Sequence, residues 1–490
     1  MEALDWLVIG VFFLALIGII VWVVRQKQND SADYFLGGRD ATWLAIGASI
    51  FASNIGSEHL IGLAGAGASS GMAMAHWEIQ GWMILILGWV FVPFYTRSMV
   101  YTMPEFLERR YNPQSRTILS VISLVSYVLT KVAVTVYAGG LVFQQVFGIK
   151  ELWGIDFFWI AAIGLVVLTA LYTIFGGMKS VLYTSVLQTP ILLLGSLIIL
   201  VLGFKELGGW DEMMRVCGAV TVNDYGDTMT NLIRSNDDAN FPWLGALIGS
   251  AIIGFWYWCT DQFIVQRVLS GKNEMEARRG TIFGAYLKLL PVFLFLIPGM
   301  IAFALHQKYI GAGGEGFLPM LENGTANADA AFPTLVAKLL PAGVKGLVVC
   351  GILAALMSSL ASLFNSSAML FTIDFYKRFR PQTSEKKLVG IGQVATVVIV
   401  ILGILWIPIM RSVGDVLYTY LQDVQSVLAP GIAAAFLLGI CWKRTSAQGG
   451  MWGLISGMVI GLTRLGAKVY YSNAGEVADS TFKYLFYDMN

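Results

Sequence analysis

The feature that most constrains this chain is an apolar run of about 20 residues that recurs from end to end. A helix of roughly that length crosses a hydrocarbon core about 30 Å thick. Alternating strand-like patterns are absent, so the spans are helices. The sequence therefore predicts an all-α polytopic membrane protein, with spans at 5–24, 42–69, 76–97, 117–147, 157–175, 181–204, 241–262, 281–305, 342–376, 388–410, 414–441 and 448–470.

Basic residues in the short loops predict the orientation, because Lys and Arg accumulate on the cytoplasmic side. They cluster after the first, third, seventh and ninth spans, whereas the loops of opposite parity are nearly bare. This pattern places both termini outside, together with the loops 205–240 and 306–341 and the tail 471–490. The net charge of +1 gives no sign of a nucleic-acid partner. Nothing in the sequence indicates an obligate protein partner.

Two spans are interrupted at corresponding places. "ASNIGSEH" (52–59) brings small and polar residues into the second span, and "GFWYWCTDQ" (254–262) does the same in the seventh. Close helix packing also selects glycine, but transporters with inverted repeats bind their substrate where matching helices are broken. The matched positions favour two five-helix repeats, 42–204 and 241–441. One extra helix precedes them in 1–30, and at least one, 448–470, follows.

Serines in the ninth span lie along one helix face. Ala355, Ser358, Ser359 and Ser362 are spaced at i, i+3, i+4 and i+7. Hydroxyls in membranes often bond to their own or a neighbouring helix, and spacing alone leaves that structural role as open as an ionic one. An exchangeable monovalent cation would suit neutral oxygens from such hydroxyls and from carbonyls freed by a broken helix. A divalent metal usually recruits carboxylates.

Few charged or amide side chains lie deep in the spans, and each is a functional hypothesis because its burial is costly. Glu78, Lys288, Gln422 and Asp423 are the candidates. A structural ion pair between Glu78 and Lys288, or a Lys288 that reaches the interface, is one interpretation. The other is a polar cluster that binds a neutral, hydroxyl-rich solute. Aromatic residues nearby could stack on such a solute or close its cavity, although most membrane aromatics only pack.

Several segments resemble the sodium/glucose cotransporters of the solute:sodium symporter family. They match in order and spacing over about residues 30–470: "DYFLGGR", "ASNIGSEHLIGLAGAGASSG", "GWVFVPFY", "TMPEFLERRY", "WYWCTDQFIVQR", "NADAAFPTLV" and "MSSLASLFNSS". The resemblance implies a LeuT-type five-plus-five inverted-repeat bundle. It also implies alternating access in the plasma membrane, driven by a co-transported sodium ion, with no organic cofactor.

The resemblance also assigns roles by position. Sodium would be held by the carbonyls of Ala52, Ile55 and Ala355 and the hydroxyls of Ser358 and Ser359. The sugar would be bound by His59, Glu78, Lys288 and Gln422, with Asn54 nearby. Tyr257 would be the inner gate, supported by Trp258, and the outer gate would comprise Leu63, Trp77 and Tyr418.

Two departures from the family pattern bear on coupling and selectivity. Members that couple two sodium ions use an acidic residue and a hydroxyl where this chain has Ser185 and Ala361. One sodium per sugar is therefore expected. Gly254 stands where some relatives place Asn or Thr beside the sugar, so one hydrogen bond to the sugar is missing. The preferred sugar epimer of this chain therefore cannot be inferred from that of any relative.

Two other classes of function stay open. One is a symporter of the same fold for myo-inositol, proline or a carboxylate, although Glu78 disfavours an anionic substrate. The other is a sugar sensor that binds without transporting. An enzyme is not expected, because no HExxH, GxSxG or paired-aspartate motif is present and the three histidines are dispersed.

Overall fold

The computed structural model describes residues 1–26, 30–56, 58–238, 240–321, 324–413 and 417–473, and within 409–423 the backbone alone. Nine helices in the described ranges are long and apolar enough to cross a membrane. The twelve helices used below are α1 (Ala3–Val24), α2 (Trp43–Asn54), α3 (Glu58–Ser98), α4 (Pro113–Phe147), α5 (Phe157–Leu207), α6 (Trp243–Thr260), α7 (Gln262–Leu269), α8 (Glu274–Gly311), α9 (Val344–Phe379), α10 (Glu385–Val413), α11 (Leu417–Cys441) and α12 (Ala447–Asn473).

Short elements connect these helices. The strands β1 (Glu151–Leu152) and β2 (Ile155–Asp156) form a small antiparallel hairpin between α4 and α5. The connections also carry short helices, which include Ser31–Leu36, Met103–Arg110, Trp210–Gly218, Ala328–Ala330 and Ala331–Leu339. Both long loops predicted on the outer face therefore contain helix.

Two of the long helices are each bent at a single glycine. Gly71 (φ 73°) lies within α3, and Gly177 (φ 53°) lies within α5. Both angles fall in the left-handed region, which glycine adopts without the steric penalty of a side chain. The bend at Gly71 separates the predicted second and third spans, and the bend at Gly177 separates the predicted fifth and sixth spans. In each case a single glycine changes the direction of the helix.

The serine-bearing helix α9 is the most buried of the nine candidate spans in the described ranges, since almost all of its residues from Gly346 to Leu370 are buried. It packs against α5 and α2. By contrast, α1 exposes most of its apolar side chains, as expected of a helix that faces lipid on one side.

Two glycines bring α3 and α8 into direct backbone contact. A Cβ on Gly299 of α8 would overlap the carbonyl oxygen of Ala64, and a Cβ on Gly67 of α3 would overlap the carbonyl oxygen of Leu296. The "LAGAGASSG" part of the interrupted span therefore serves close helix packing. The break itself lies earlier in the same span.

Candidate functional site

The first interruption is a real break between α2 and α3. The helix α2 ends at Asn54, and Ile55 then adopts extended backbone angles (φ −78°, ψ 102°). The extended residue takes its carbonyl out of the helical hydrogen-bond ladder, which leaves it free for another donor or for a cation. Gly56 follows, and a Cβ there would lie 3.0 Å from Ser359 Oγ. The chain therefore breaks beside α9.

Oxygen atoms of α2 and α9 converge beside this break. Ser359 Oγ donates to the Ser53 carbonyl (2.7 Å) and lies 3.4 Å from the Ile55 carbonyl oxygen. A cation of about the size of calcium binds oxygen ligands at about 2.4 Å. Two such oxygens at right angles around the cation would lie about 3.4 Å apart, which is the distance between Ser359 Oγ and the Ile55 carbonyl oxygen. Ala52 and Ala355 are buried in the same region. The structure thus brings the Ile55 carbonyl together with the Ser359 hydroxyl.

Ser358 belongs to a chain of buried hydroxyls. Its Oγ lies 3.4 Å from Ser53 Oγ and 3.2 Å from Ser185 Oγ. Arg267 enters this chain, because its Nε donates to the hydroxyls of Ser49 (3.2 Å) and Ser53 (3.1 Å). The Arg267 side chain is buried, and its Nη1 has no hydrogen-bond partner among the described residues. A fixed positive charge therefore lies within the hydroxyl cluster.

The second interruption lies between α6 and α7. Asp261 is extended (φ −73°, ψ 128°), and its carboxylate caps α7 by accepting from the Phe263 backbone N–H. The same carboxylate pairs with Lys131 Nζ of α4 at 2.9 Å and accepts from the Tyr127 hydroxyl. Both charged side chains are almost fully buried. Sequence reasoning missed this ion pair, although a lone lysine inside the apolar α4 was a usable signal.

Tyr257 joins the two broken helices. Asn54 Nδ2, at the end of α2, donates to the Tyr257 hydroxyl on α6 at 3.0 Å. Lys131 Nζ lies 4.5 Å from the Tyr257 ring centroid, and the Trp258 ring packs edge-on against it at 4.9 Å. Cation–π and aromatic contacts of this kind favour one ring position. Groups from α2, α4 and α6 therefore hold the Tyr257 side chain in one position.

The polar cluster predicted from sequence is assembled from two helices. Lys288 Nζ of α8 lies 2.6 Å from Glu78 Oε2 and 2.8 Å from His59 Nε2, both of α3, and all three side chains are buried. His59 Nε2 also lies 3.2 Å from Glu78 Oε1, so the three side chains form one contiguous polar cluster. The ion pair leaves this cluster with no net charge.

A small cavity lies beside this cluster. Its volume is about 40 Å³, and it is lined by Asn54, Glu58, His59, Trp77, Glu78, Gln80, Ile253, Tyr257, Trp258, Lys288 and Gln425. Typical ligand pockets are about 300 Å³ or larger, so the structure describes a closed site in which side chains must part to admit a solute. Glu58, Gln80 and Gln425 were not among the predicted site residues.

Apart from Glu78 Oε2, which is paired with the Lys288 ammonium, three buried polar atoms in this cavity lining have no hydrogen-bond partner among the described residues: Asn54 Oδ1, His59 Nδ1 and Gln80 Oε1. Buried polar groups are nearly always paired, so each such atom needs an explanation. Two amide oxygens and one ring nitrogen that face one closed space form a set that a polar solute could satisfy. This arrangement is the strongest structural indication of a substrate site.

The remaining predicted residues divide into two groups. Leu63 is buried within α3, and Trp77 lines the cavity. The side chains of Tyr418 and Gln422 lie outside the described residues. Gly254, which was expected to lack one hydrogen bond to the sugar, faces Gln80 in the structure. A Cβ on Gly254 would lie 2.8 Å from Gln80 Oε1. The space left by the missing side chain is thus occupied by the Gln80 amide.

The fold and this site together define a multi-pass membrane transporter with two broken helices. Residues 34–457 match the sodium:solute symporter family. The chain is 38% identical over 479 residues to human sodium/myo-inositol cotransporter 2, covering 95% of this chain and 70% of that protein. It is 38% identical over 482 residues to zebrafish sodium/glucose cotransporter 4, covering 95% and 72%. The chain belongs to the sodium:solute symporter family, and sodium is its co-transported ion.

A solved structure confirms the fold class. A Na⁺-coupled sialic acid symporter in a substrate-bound outward-open state superposes with a TM-score of 0.77 at 21% identity, covering 99% of this chain and 94% of that one. At that identity the likeness concerns the fold alone. The predicted helical bundle of the sodium symporters is thereby confirmed.

Proposed function

We propose that this protein couples one sodium ion to the uptake of one monosaccharide, similar to glucose or galactose, across the plasma membrane with its N-terminus outside. The observation that carries the proposal is the cavity beside Glu78, Lys288 and His59, with its three unpartnered polar atoms. A neutral polyol offers the donors and acceptors that these atoms lack. The printed names of the relatives, sodium/glucose and sodium/myo-inositol cotransporters, support the same substrate class.

The sodium site rests on the oxygen cluster at the α2–α3 break. Ala52, Ile55 and Ala355 would contribute carbonyls, and Ser358 and Ser359 would contribute hydroxyls. The close approach of Ser359 Oγ to the Ile55 carbonyl supports this set. A cation bound there would tie the broken helix to α9 and so favour one of the two transport states. Sodium can drive uptake only through such a difference in affinity between states.

The sugar would enter when the aromatic residues around the cavity move. Lys288, Glu78, His59 and Gln422 would form its hydrogen bonds, with Asn54 nearby. Tyr257 and Trp258 would form the inner side of the site, and Leu63, Trp77 and Tyr418 the outer side. The hydrogen bond from Asn54 to Tyr257 joins both interrupted segments. It supports a gate whose position depends on the conformation of the broken helix.

Myo-inositol is the second candidate substrate, favoured by the human relative named for it. A ring polyol with no net charge would satisfy the same cavity atoms. The balanced Glu78–Lys288 pair gives no surplus positive charge for an anionic solute.

The test is uptake of labelled galactose, glucose and myo-inositol into proteoliposomes, with an inward sodium gradient against a potassium control. Sodium-dependent accumulation of one of them identifies the substrate. Binding without accumulation would indicate a sensor. No binding of any of the three would contradict the sugar assignment while leaving the fold and family unchanged.

A further inference from the structure

We infer that Gln80 is a substrate-binding residue that determines which hydroxyl pattern this transporter accepts. The inference rests on the proposed sugar site and adds to it a residue that the predicted ligand set does not contain. It concerns the side of the cavity where α3 faces α6.

The environment of Gln80 points to an absent ligand. Its Oε1 is buried and without a partner among the described residues, and the side chain lines the cavity with His59 and Lys288. A buried amide that forms no hydrogen bond is less stable than a paired one, because it has lost its hydrogen bonds to water without replacement. A solute hydroxyl in the cavity would restore that hydrogen bond.

The neighbouring helix leaves room for this amide. Gly254 of α6 has no side chain, and a Cβ there would lie 2.8 Å from Gln80 Oε1 and 3.2 Å from Met83 Cγ. Any larger residue at 254 would compete with Gln80 for the same volume. The glycine therefore leaves room for the Gln80 amide at the cavity wall.

The chemistry of an amide suits discrimination between hydroxyl patterns. Its oxygen accepts and its nitrogen donates within one planar group. A site built to hydrogen-bond a hydroxyl rejects analogues that lack it in the right position, because its buried polar groups are then left unpaired. An epimer that turns one hydroxyl away from Gln80 would lose this contact.

The test compares Gln80→Met with the unchanged transporter in proteoliposomes. Methionine has a similar length and no amide. We expect the KM of the preferred substrate to rise about tenfold, the scale of one lost hydrogen bond, and the preference among galactose, glucose and myo-inositol to narrow. The sodium concentration for half-maximal uptake should stay unchanged, which shows that the variant is folded and that its cation site is intact.

Two further variants separate a binding role from a packing role. Met83→Leu alters the same wall without polar atoms and should keep KM within about twofold. In the double variant Gln80→Ala/Gly254→Asn, the asparagine amide enters the vacated space from α6, and we expect it to recover most of the affinity lost in Gln80→Ala.

The outcomes distinguish this inference from the proposed function. An unchanged KM and unchanged substrate preference in Gln80→Met, in a protein that transports sugar, would overturn the role of Gln80 alone. Loss of affinity in Met83→Leu equal to that in Gln80→Met would reduce Gln80 to a packing residue. If the unchanged protein transports none of the three solutes, the proposed function fails and this inference fails with it.

Discussion

Lys131 Nζ lies 2.9 Å from Asp261 Oδ2, so a buried ion pair joins α4 to the break between α6 and α7. Removing one partner of a buried ion pair leaves an uncompensated charge, whereas removing both can be nearly neutral. The pair also lies against the Tyr257 ring, which places it at the predicted inner gate.

Breaking this pair should destabilise the protein strongly. Lys131→Met leaves the buried Asp261 carboxylate without its counter-charge, with an expected loss of about 3–5 kcal/mol in the free energy of unfolding. The double variant Lys131→Met/Asp261→Asn should recover most of that loss, as judged by thermal unfolding in detergent. Arg215→Ala breaks an exposed pair with Glu212 and serves as the control, with little effect. Equal losses in the single and double variants would contradict this account.

Ser359→Ala should raise the sodium requirement of uptake. The variant removes the hydroxyl that approaches the Ile55 carbonyl, and we expect the half-saturating sodium concentration to rise about tenfold, as for one lost ligand. Substrate preference should not change. Thr169→Ala removes a buried hydroxyl that donates to the carbonyl of its own helix, and should leave sodium dependence unaltered. Identical sodium curves for Ser359→Ala and the unchanged protein would refute the site assignment.

Ser185→Asp should strengthen sodium binding. Ser185 Oγ lies 3.2 Å from Ser358 Oγ and 3.4 Å from Ser49 Oγ, a hydroxyl to which Arg267 donates. A carboxylate there would balance the Arg267 charge and attract the cation, an effect of about tenfold at the dielectric of a partly polar interior. Ser185→Asn has the same shape without the charge. Sodium-dependent thermal stabilisation of the purified variants reports affinity directly, and the expectation fails if aspartate and asparagine behave alike.

Gly299→Ala should disrupt the bundle. Its Cβ would overlap the Ala64 carbonyl oxygen, and neither backbone can move without separating α8 from α3. Overpacking of this kind costs about 1–3 kcal/mol or more, measurable as a lower unfolding temperature in detergent. Gly164→Ala meets nothing within 4 Å and is the matched control. Equal unfolding temperatures for the two variants would show that the contact is not close.

The stability of the protein should depend on pH through Asp329, in the loop between α8 and α9. This residue lies between α8 and α9, outside the spans, and burial raises the pKa of its carboxyl to about 6. The folded state thus holds the proton more tightly than the unfolded state, whose pKa is near 3.8. The charged form therefore destabilises the fold above about pH 6, and this penalty disappears as the pH falls towards 4.

The matching variant is Asp329→Asn, which is neutral at every pH. It should unfold at a higher temperature than the unchanged protein at pH 7.5, and the difference should shrink steadily between pH 6 and pH 4. A difference that does not depend on pH would show that the asparagine acts through packing instead.

The parts of the site predicted from sequence are those carried by local patterns. "ASNIGSEH" and "GFWYWCTDQ" located both breaks, and the Glu78–Lys288 pair followed from the scarcity of charge in the spans. Lys131 carried the same signal in α4, but its partner Asp261 is 130 residues away, and no local pattern connects them.

Gln80 could not have been found in this way. Its role depends on the space beside Gly254 and on an amide oxygen that has no partner in the part of the chain that the structure describes, and both are properties of the packed bundle. Arg267 likewise looks like one more basic residue at a helix end, where a cytoplasmic position was expected. The folded chain instead turns it inward onto the hydroxyls of Ser49 and Ser53.

The backbone contact between Gly299 and Ala64 also constrains how this transporter can move. Without side chains between them, the first part of α3 and the middle of α8 cannot slide past one another and must travel as one rigid unit. His59 belongs to that part of α3, and Lys288 belongs to α8. A solute bound by both His59 and Lys288 would therefore keep these two contacts throughout the transport cycle. The change of access would come from movement of the residues that line the other sides of the cavity.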